Sequence, residues 1–117
     1  MGYDFDNDTP IYLQIIEHIK MQIINKEFLP NDKLPSVREL SFQYGVNPNT
    51  IQKALQELED IGLIFTERTN GKFVTSNLEI IEKIRQETID NIIDDFFDSM
   101  LKLGLSRNDV MKILNKR

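Results

Sequence analysis

The stretch Leu34-Pro35-Ser36-Val37-Arg38-Glu39-Leu40, with Gly45-Val46-Asn47-Pro48-Asn49-Thr50-Ile51-Gln52-Lys53-Ala54-Leu55 shortly after it, decides the fold. Ser36 and Glu39 have the spacing of a capping box, in which each side chain answers a free backbone N–H of the other residue. Val37, Leu40, Ser41 and Tyr44 then share one face of a short helix. Gly45 suits a left-handed C-cap and ends that helix. A second helix opens almost at once, with Asn47 as N-cap and Pro48 at its first position. Ile51, Ala54, Leu55 and Leu58 form its buried stripe. At about 100° per residue, Asn49, Lys53 and Gln56 fall on the opposite face, with Gln52 at its flank.

Upstream, Tyr12, Ile15, Ile16, Ile19 and Ile23 recur at helical spacing. The predicted N-cap of this first helix is Asp8 or Thr9, with Pro10 as its first residue. It fades near Lys26, and Leu29-Pro30-Asn31-Asp32 reads as a turn. Downstream, Leu63–Thr66 and Lys72–Thr75 read as short strands. The link between them ends in Asn70-Gly71, a strong hairpin signal.

From Asn77, a predicted N-cap, apolar residues run at helical spacing to Leu103. This implies a helix of some 25 residues, about 37 Å long, closed by Gly104. Ser106 with Asp109 opens a last short helix carrying Val110, Met111, Ile113 and Leu114. The predicted fold is therefore mainly α with a small β-hairpin: a winged helix-turn-helix over 1–76 and a two-helix extension over 77–117.

Composition narrows the function. The chain has 117 residues, 40% hydrophobic and 28% charged, as an ordinary globular domain does. With no cysteine, a disulfide framework, a zinc finger and a thiol nucleophile are all ruled out. No apolar run is long enough to span a membrane. Asp4, Asp6 and Asp8 stand where a secretion leader would be basic, so a cytoplasmic protein is expected. No nucleophile–base pair, metal spacing or phosphate-cradling glycine loop is present, so neither an enzyme nor a cofactor is expected. His18, the single histidine, reads as a surface residue of the first helix.

Net charge is −5, which by itself argues against nucleic acid. The charge is unevenly placed, however. Asp4, Asp6, Asp8, Glu17 and Glu27 come early, whereas Lys33, Arg38, Lys53, Arg68 and Lys72 come later. In a helix-turn-helix the second helix of the pair enters the major groove and presents its N-terminal residues to base edges. Amides there can read adenine, and a lysine can meet guanine or a phosphate. Free N–H groups at the helix start also suit phosphate. The fold thus brings the later basic residues toward one face, with Arg68, Asn70 and Lys72 on the wing.

These residues resemble the GntR-type bacterial transcription regulators. The matching pieces are Pro10-Ile11-Tyr12-Leu13-Gln14-Ile15, Lys33 through Leu40, Gly45 through Leu55, Leu58 through Gly62, and Asn70-Gly71-Lys72-Phe73-Val74. The resemblance implies a homodimer on a palindromic operator in double-stranded DNA, commonly as a repressor. The resemblance implies DNA contact at Arg38, at Asn47, Pro48, Asn49, Thr50, Gln52 and Lys53, and at Gly71; the residue pattern itself adds Ser36 at the start of the second helix and Arg68, Asn70 and Lys72 at the hairpin tip to the expected DNA-facing set. The wing departs from the usual Gly-x-Gly-Thr-Phe-Val: it reads Thr69-Asn70-Gly71-Lys72-Phe73-Val74. The roughly 40 residues after 76 are too few for a separate effector domain. The chain in this respect looks like the YtrA subfamily, whose two C-terminal helices dimerise and whose members often repress ABC-transporter operons and their own genes. No effector is legible.

The residues of the extension agree independently. Ile92/Ile93, Phe96/Phe97 and Met100/Leu101 are adjacent apolar pairs, so the stripe is wider than one neighbour requires. With Ile89 they form the expected dimerisation set. Asp90, Asp94, Asp95 and Asp98 read as a solvated helix face. Several other assignments have a purely structural alternative. Arg38 and Lys53 taken singly are ordinary solvated charges, Asn47 serves as a cap in either case, and Thr50 suits a first turn as well as a phosphate. The competing function is a winged-helix protein-interaction module without DNA affinity, which the net charge favours.

Overall fold

The computed structural model describes residues 3–117; residues 1 and 2, at the start of the first expected domain, lie outside the described part. Its elements are α1 (Ile11–Ile24), α2 (Val37–Tyr44), α3 (Pro48–Asp60), β1 (Ile64–Glu67), β2 (Gly71–Val74), α4 (Leu78–Lys102) and α5 (Arg107–Asn115). The chain divides into two compact units, Met1–Glu82 and Lys83–Arg117, with the division inside α4.

In the first unit the core is built from three helical stripes. Ile15, Ile16, Ile19 and Ile23 of α1 meet Leu40 and Tyr44 of α2 and Ile51, Ala54, Leu55 and Leu58 of α3. Leu34, Leu63, Ile64 and Val74 close the base. Burying each large aliphatic side chain contributes about 1.5–3 kcal/mol, which drives the otherwise polar α2 and α3 to pack.

The helix starts follow local chemistry. At α2, Ser36 Oγ accepts from Glu39 N at 3.1 Å, and Glu39 Oε1 accepts from Ser36 N at 2.8 Å. At α3, Asn47 Oδ1 accepts from Asn49 N at 2.8 Å, and Pro48 is the first helical residue. Between them Gly45 takes φ 68°, where a side chain would be strained, and Ser41 Oγ donates to the Val46 carbonyl.

The start of α1 differs from expectation. Pro10 is its N-cap, not its first helical residue, and no side chain caps it. The Pro10 carbonyl instead accepts from Leu13 N and Gln14 N. Gln14 turns back over the preceding segment: its Nε2 donates to the Asp6 and Thr9 carbonyls, and its Oε1 accepts from Asp6 N. The amide of Gln14 thereby serves the backbone ahead of the helix that Asp8 or Thr9 was expected to cap.

The hairpin lies one residue from each predicted strand. Ile64 pairs with Val74, Phe65 with Phe73, Thr66 with Lys72 and Glu67 with Gly71. Asn70 N donates to the Glu67 carbonyl at 3.2 Å, and Gly71 follows at φ 102°. Residues 68–70 form a three-residue loop, and Gly71 just after it supplies the left-handed position. The segment read as a turn also joins the sheet. Leu34 N donates to the Lys72 carbonyl, Val74 N to the Asp32 carbonyl and Asn31 N to the Val74 carbonyl.

In the second unit, Ser106 and Asp109 form the expected capping box of α5. Val110 is buried, and the Arg107 guanidinium stands 4.1 Å from the Phe97 ring centroid. Phe96 meets Phe97 edge-on at 5.4 Å. Among the described residues, no helix is long and apolar enough to cross a membrane.

Candidate nucleic-acid interface

The α2–turn–α3 pair presents Asn47, Pro48, Asn49, Gln52 and Lys53 to solvent, while Thr50 is half-buried. The buried stripe of α3 points the other way, so the core itself dictates which face of the helix is offered. Ser36, the N-cap of α2, and Arg38, in its first turn, are exposed. Arg38 forms no ion pair with another described residue. Glu39 beside it is held below the usual carboxylate range, first by the Ser36 N–H and then by the Ser36 hydroxyl.

A groove of about 350 Å³ joins the start of α2 to the hairpin tip. Lys33, Ser36, Val37 and Leu55 line one side, and Arg68 through Lys72 the other. Within it the Lys33 chain passes close to Gly71: a Cβ placed there would sit 3.4 Å from Lys33 Cε. The structure thus brings Ser36 together with Arg68, Asn70, Gly71 and Lys72.

The basic side chains are not equivalent. Lys53 Nζ stands 3.9 Å from the Tyr12 ring centroid, and so leans on α1. Lys72 Nζ donates to Glu59 Oε1 at 3.0 Å and to Thr66 Oγ1 at 2.7 Å. Its ammonium is thus ion-paired to the C-terminal half of α3. Arg68 is exposed at the tip, without an ion pair to another described residue.

Sequence reading missed Tyr12 and Glu59 as partners of the two lysines. Each pair joins different elements far apart in the chain, where no local spacing can signal it. It also misplaced His18. The ring is half-buried, and its Nδ1 lies 2.6 Å from Tyr44 Oη. Tyr3 packs over both at 4.7 Å and 5.6 Å between ring centroids, and burial, followed by the neighbouring Tyr3, pushes the Tyr44 phenol up to about 12.

In the second unit the expected dimerisation residues divide. Ile92, Ile93, Phe96 and Leu101 are exposed, Ile92 at 59% and Leu101 at 65%, whereas Ile89, Phe97 and Met100 are half-buried.

Residues 11–74 match the bacterial regulatory proteins of the gntR family. The uncharacterized HTH-type transcriptional regulator YhcF of Bacillus subtilis (strain 168) is 38% identical over 112 residues, spanning 96% of this chain and 93% of that protein. The HTH-type transcriptional repressor YtrA of the same organism is 46% identical over 71 residues, 61% of this chain and 55% of YtrA. A GntR family transcriptional regulator from Listeria monocytogenes superposes with a TM-score of 0.87 at 36% identity, over 97% of this chain and 99% of its own. The DNA-binding domain of AraR in complex with operator ORX1 superposes with a TM-score of 0.57 at 35% identity, over 64% of this chain and 90% of its own. A match that runs from α1 through the hairpin, together with a relative similar along nearly the whole chain, establishes that this protein belongs to the gntR family of bacterial regulatory proteins.

Proposed function

We propose that this DNA-binding transcription regulator is a cytoplasmic homodimeric repressor of the YtrA-like kind, acting on a palindromic operator. Residues 1–76 bind DNA and 77–117 dimerise. The observation that carries the reading is the polar face of α3, with Asn49, Gln52 and Lys53 exposed directly above a fully buried apolar stripe. In this arrangement α3 enters the major groove, Arg38 and Ser36 approach the backbone from α2, and Arg68 does so from the wing. The exposed apolar residues of α4 supply the face for a second copy. The net charge of −5 does not oppose this, because Arg38, Lys53 and Arg68 act within a screening length of about 8–10 Å.

The test is a gel shift on the DNA upstream of the protein's own gene, with unrelated DNA as competitor. A specific complex of dimer stoichiometry that weakens steeply with salt is expected. Arg38→Ala and Lys53→Ala should each weaken it while leaving the fold intact. A folded dimer that shifts no DNA at low salt would favour the protein-interaction reading instead.

A further inference from the structure

Two kinds of partner lie within the reach of a Lys53 side chain. One is Glu57, four residues along the same exposed side of α3. The other is the Tyr12 ring of α1, over which the ammonium sits at 3.9 Å. An ion pair with Glu57 would draw the ammonium to a carboxylate and away from a phosphate, as Glu59 does for Lys72. A ring attracts the cation through its quadrupole and leaves the net charge intact. The lysine-before-glutamate order is also the weaker one at this spacing on a helix. No Lys53–Glu57 ion pair forms among the described residues.

We infer that Tyr12 is a positioning residue for DNA binding: its ring holds the Lys53 ammonium, charged and preplaced, at the nucleic-acid face and away from Glu57. The inference rests on the reading that Lys53 meets DNA. Holding a long side chain in place before association removes an ordering cost of about 0.5–1.5 kcal/mol, equivalent to roughly 2- to 10-fold in affinity. The aromatic face supplies the effect, not the phenol hydroxyl.

The experiment measures anisotropy of a labelled random-sequence duplex across a salt series, with folding checked by circular dichroism. Tyr12→Phe should bind like the parent. Tyr12→Leu should bind about 2- to 10-fold more weakly. Measured against Glu57→Gln alone, Tyr12→Leu should cost less than it does against the parent, because the competing carboxylate is gone; a merely structural role for Tyr12 would give the same loss in both backgrounds. In a Lys53→Ala background, Tyr12→Leu should change nothing further. Equal losses from Tyr12→Phe and Tyr12→Leu would assign the effect to the hydroxyl and overturn the inference. So would an undiminished Tyr12→Leu loss in the Lys53→Ala background. The underlying reading fails separately, if Lys53→Ala alone binds like the parent.

Discussion

Lys72 Nζ lies 3.0 Å from Glu59 Oε1, and Thr66 Oγ1 donates to the same carboxylate oxygen at 2.7 Å. The wing is thereby tied to the C-terminal half of α3. Both side chains are about a quarter to a third exposed, 26% for Lys72 and 32% for Glu59. A pair this open to water is worth under about 1 kcal/mol.

Glu59→Gln should therefore lower stability at neutral pH by less than about 1 kcal/mol. The Thr66 hydroxyl, and then Lys72, hold the Glu59 carboxyl below its ordinary value of 4.5. A depressed value stabilises the fold above the unfolded pKa, and the contribution is lost as pH falls through the folded value. Urea denaturation of parent and variant should give curves that converge as pH drops below 4.5. A gap that widens on acidification would contradict the assignment.

The same contact ranks the wing residues. Lys72 already has an ion-pair partner in Glu59, whereas Arg68 has none among the described residues. Arg68→Ala should weaken DNA binding and reduce the salt slope by about one, the signature of one lost phosphate contact. Lys72→Ala should leave the slope nearly unchanged. Reversal of that order in a salt titration would move the wing contact to Lys72.

Tyr44 should report alkaline unfolding. Its phenol is pushed up to about 12, above the ordinary 10.0. A raised folded value means the stabilisation is complete below the unfolded pKa and is lost as pH climbs through the folded one. Stability should be flat up to pH 10 and should fall between 10 and about 12. Tyr44→Phe should shrink that fall. It should also cost about 1 kcal/mol at neutral pH, since it removes the 2.6 Å bond to His18 Nδ1.

Asn47 caps α3 and is exposed on the face proposed to meet DNA, and Asn47→Asp separates the two roles. The aspartate keeps the acceptor for Asn49 N and favours the positive end of α3, so thermal stability should hold or rise. DNA affinity should nevertheless fall, because the new charge meets phosphate. Asn47→Ala should lose about 1 kcal/mol of stability as well. If Asn47→Asp bound DNA like the parent, Asn47 would be a cap and nothing more.

Phe96→Glu tests the α4 face. Phe96 is 37% exposed within its own chain, so the monomer should tolerate the change. A charge buried between two copies without a partner would be strongly unfavourable. Light scattering should show the parent as a dimer and the variant as a monomer, with operator binding weakened in step. A variant that stays dimeric would place the interface elsewhere.

Sequence alone was enough for whatever is local. Ser36 with Glu39, Asn47 with Pro48, Gly45, and Ser106 with Asp109 act over at most four residues, so each is legible in the order of residues along the chain. The stripes of α1, α2 and α3 follow from a period that every helix shares, and they were sufficient for the helix-turn-helix and for the polar face of α3. Single-residue shifts at Pro10 and at both strands mark the limit of that reading, since Gln14 folds back over the segment before α1, β1 pairs with β2, and residues 31–34 bond to β2. Only the tertiary structure decided what the charges do. Lys53 and Lys72 look alike in the chain, yet one rests on a ring from α1, while the other is ion-paired to Glu59. His18 went from surface residue to a member of an aromatic cluster for the same reason. A side chain's electrostatic state depends on neighbours brought from other elements, and no periodicity along the chain encodes them.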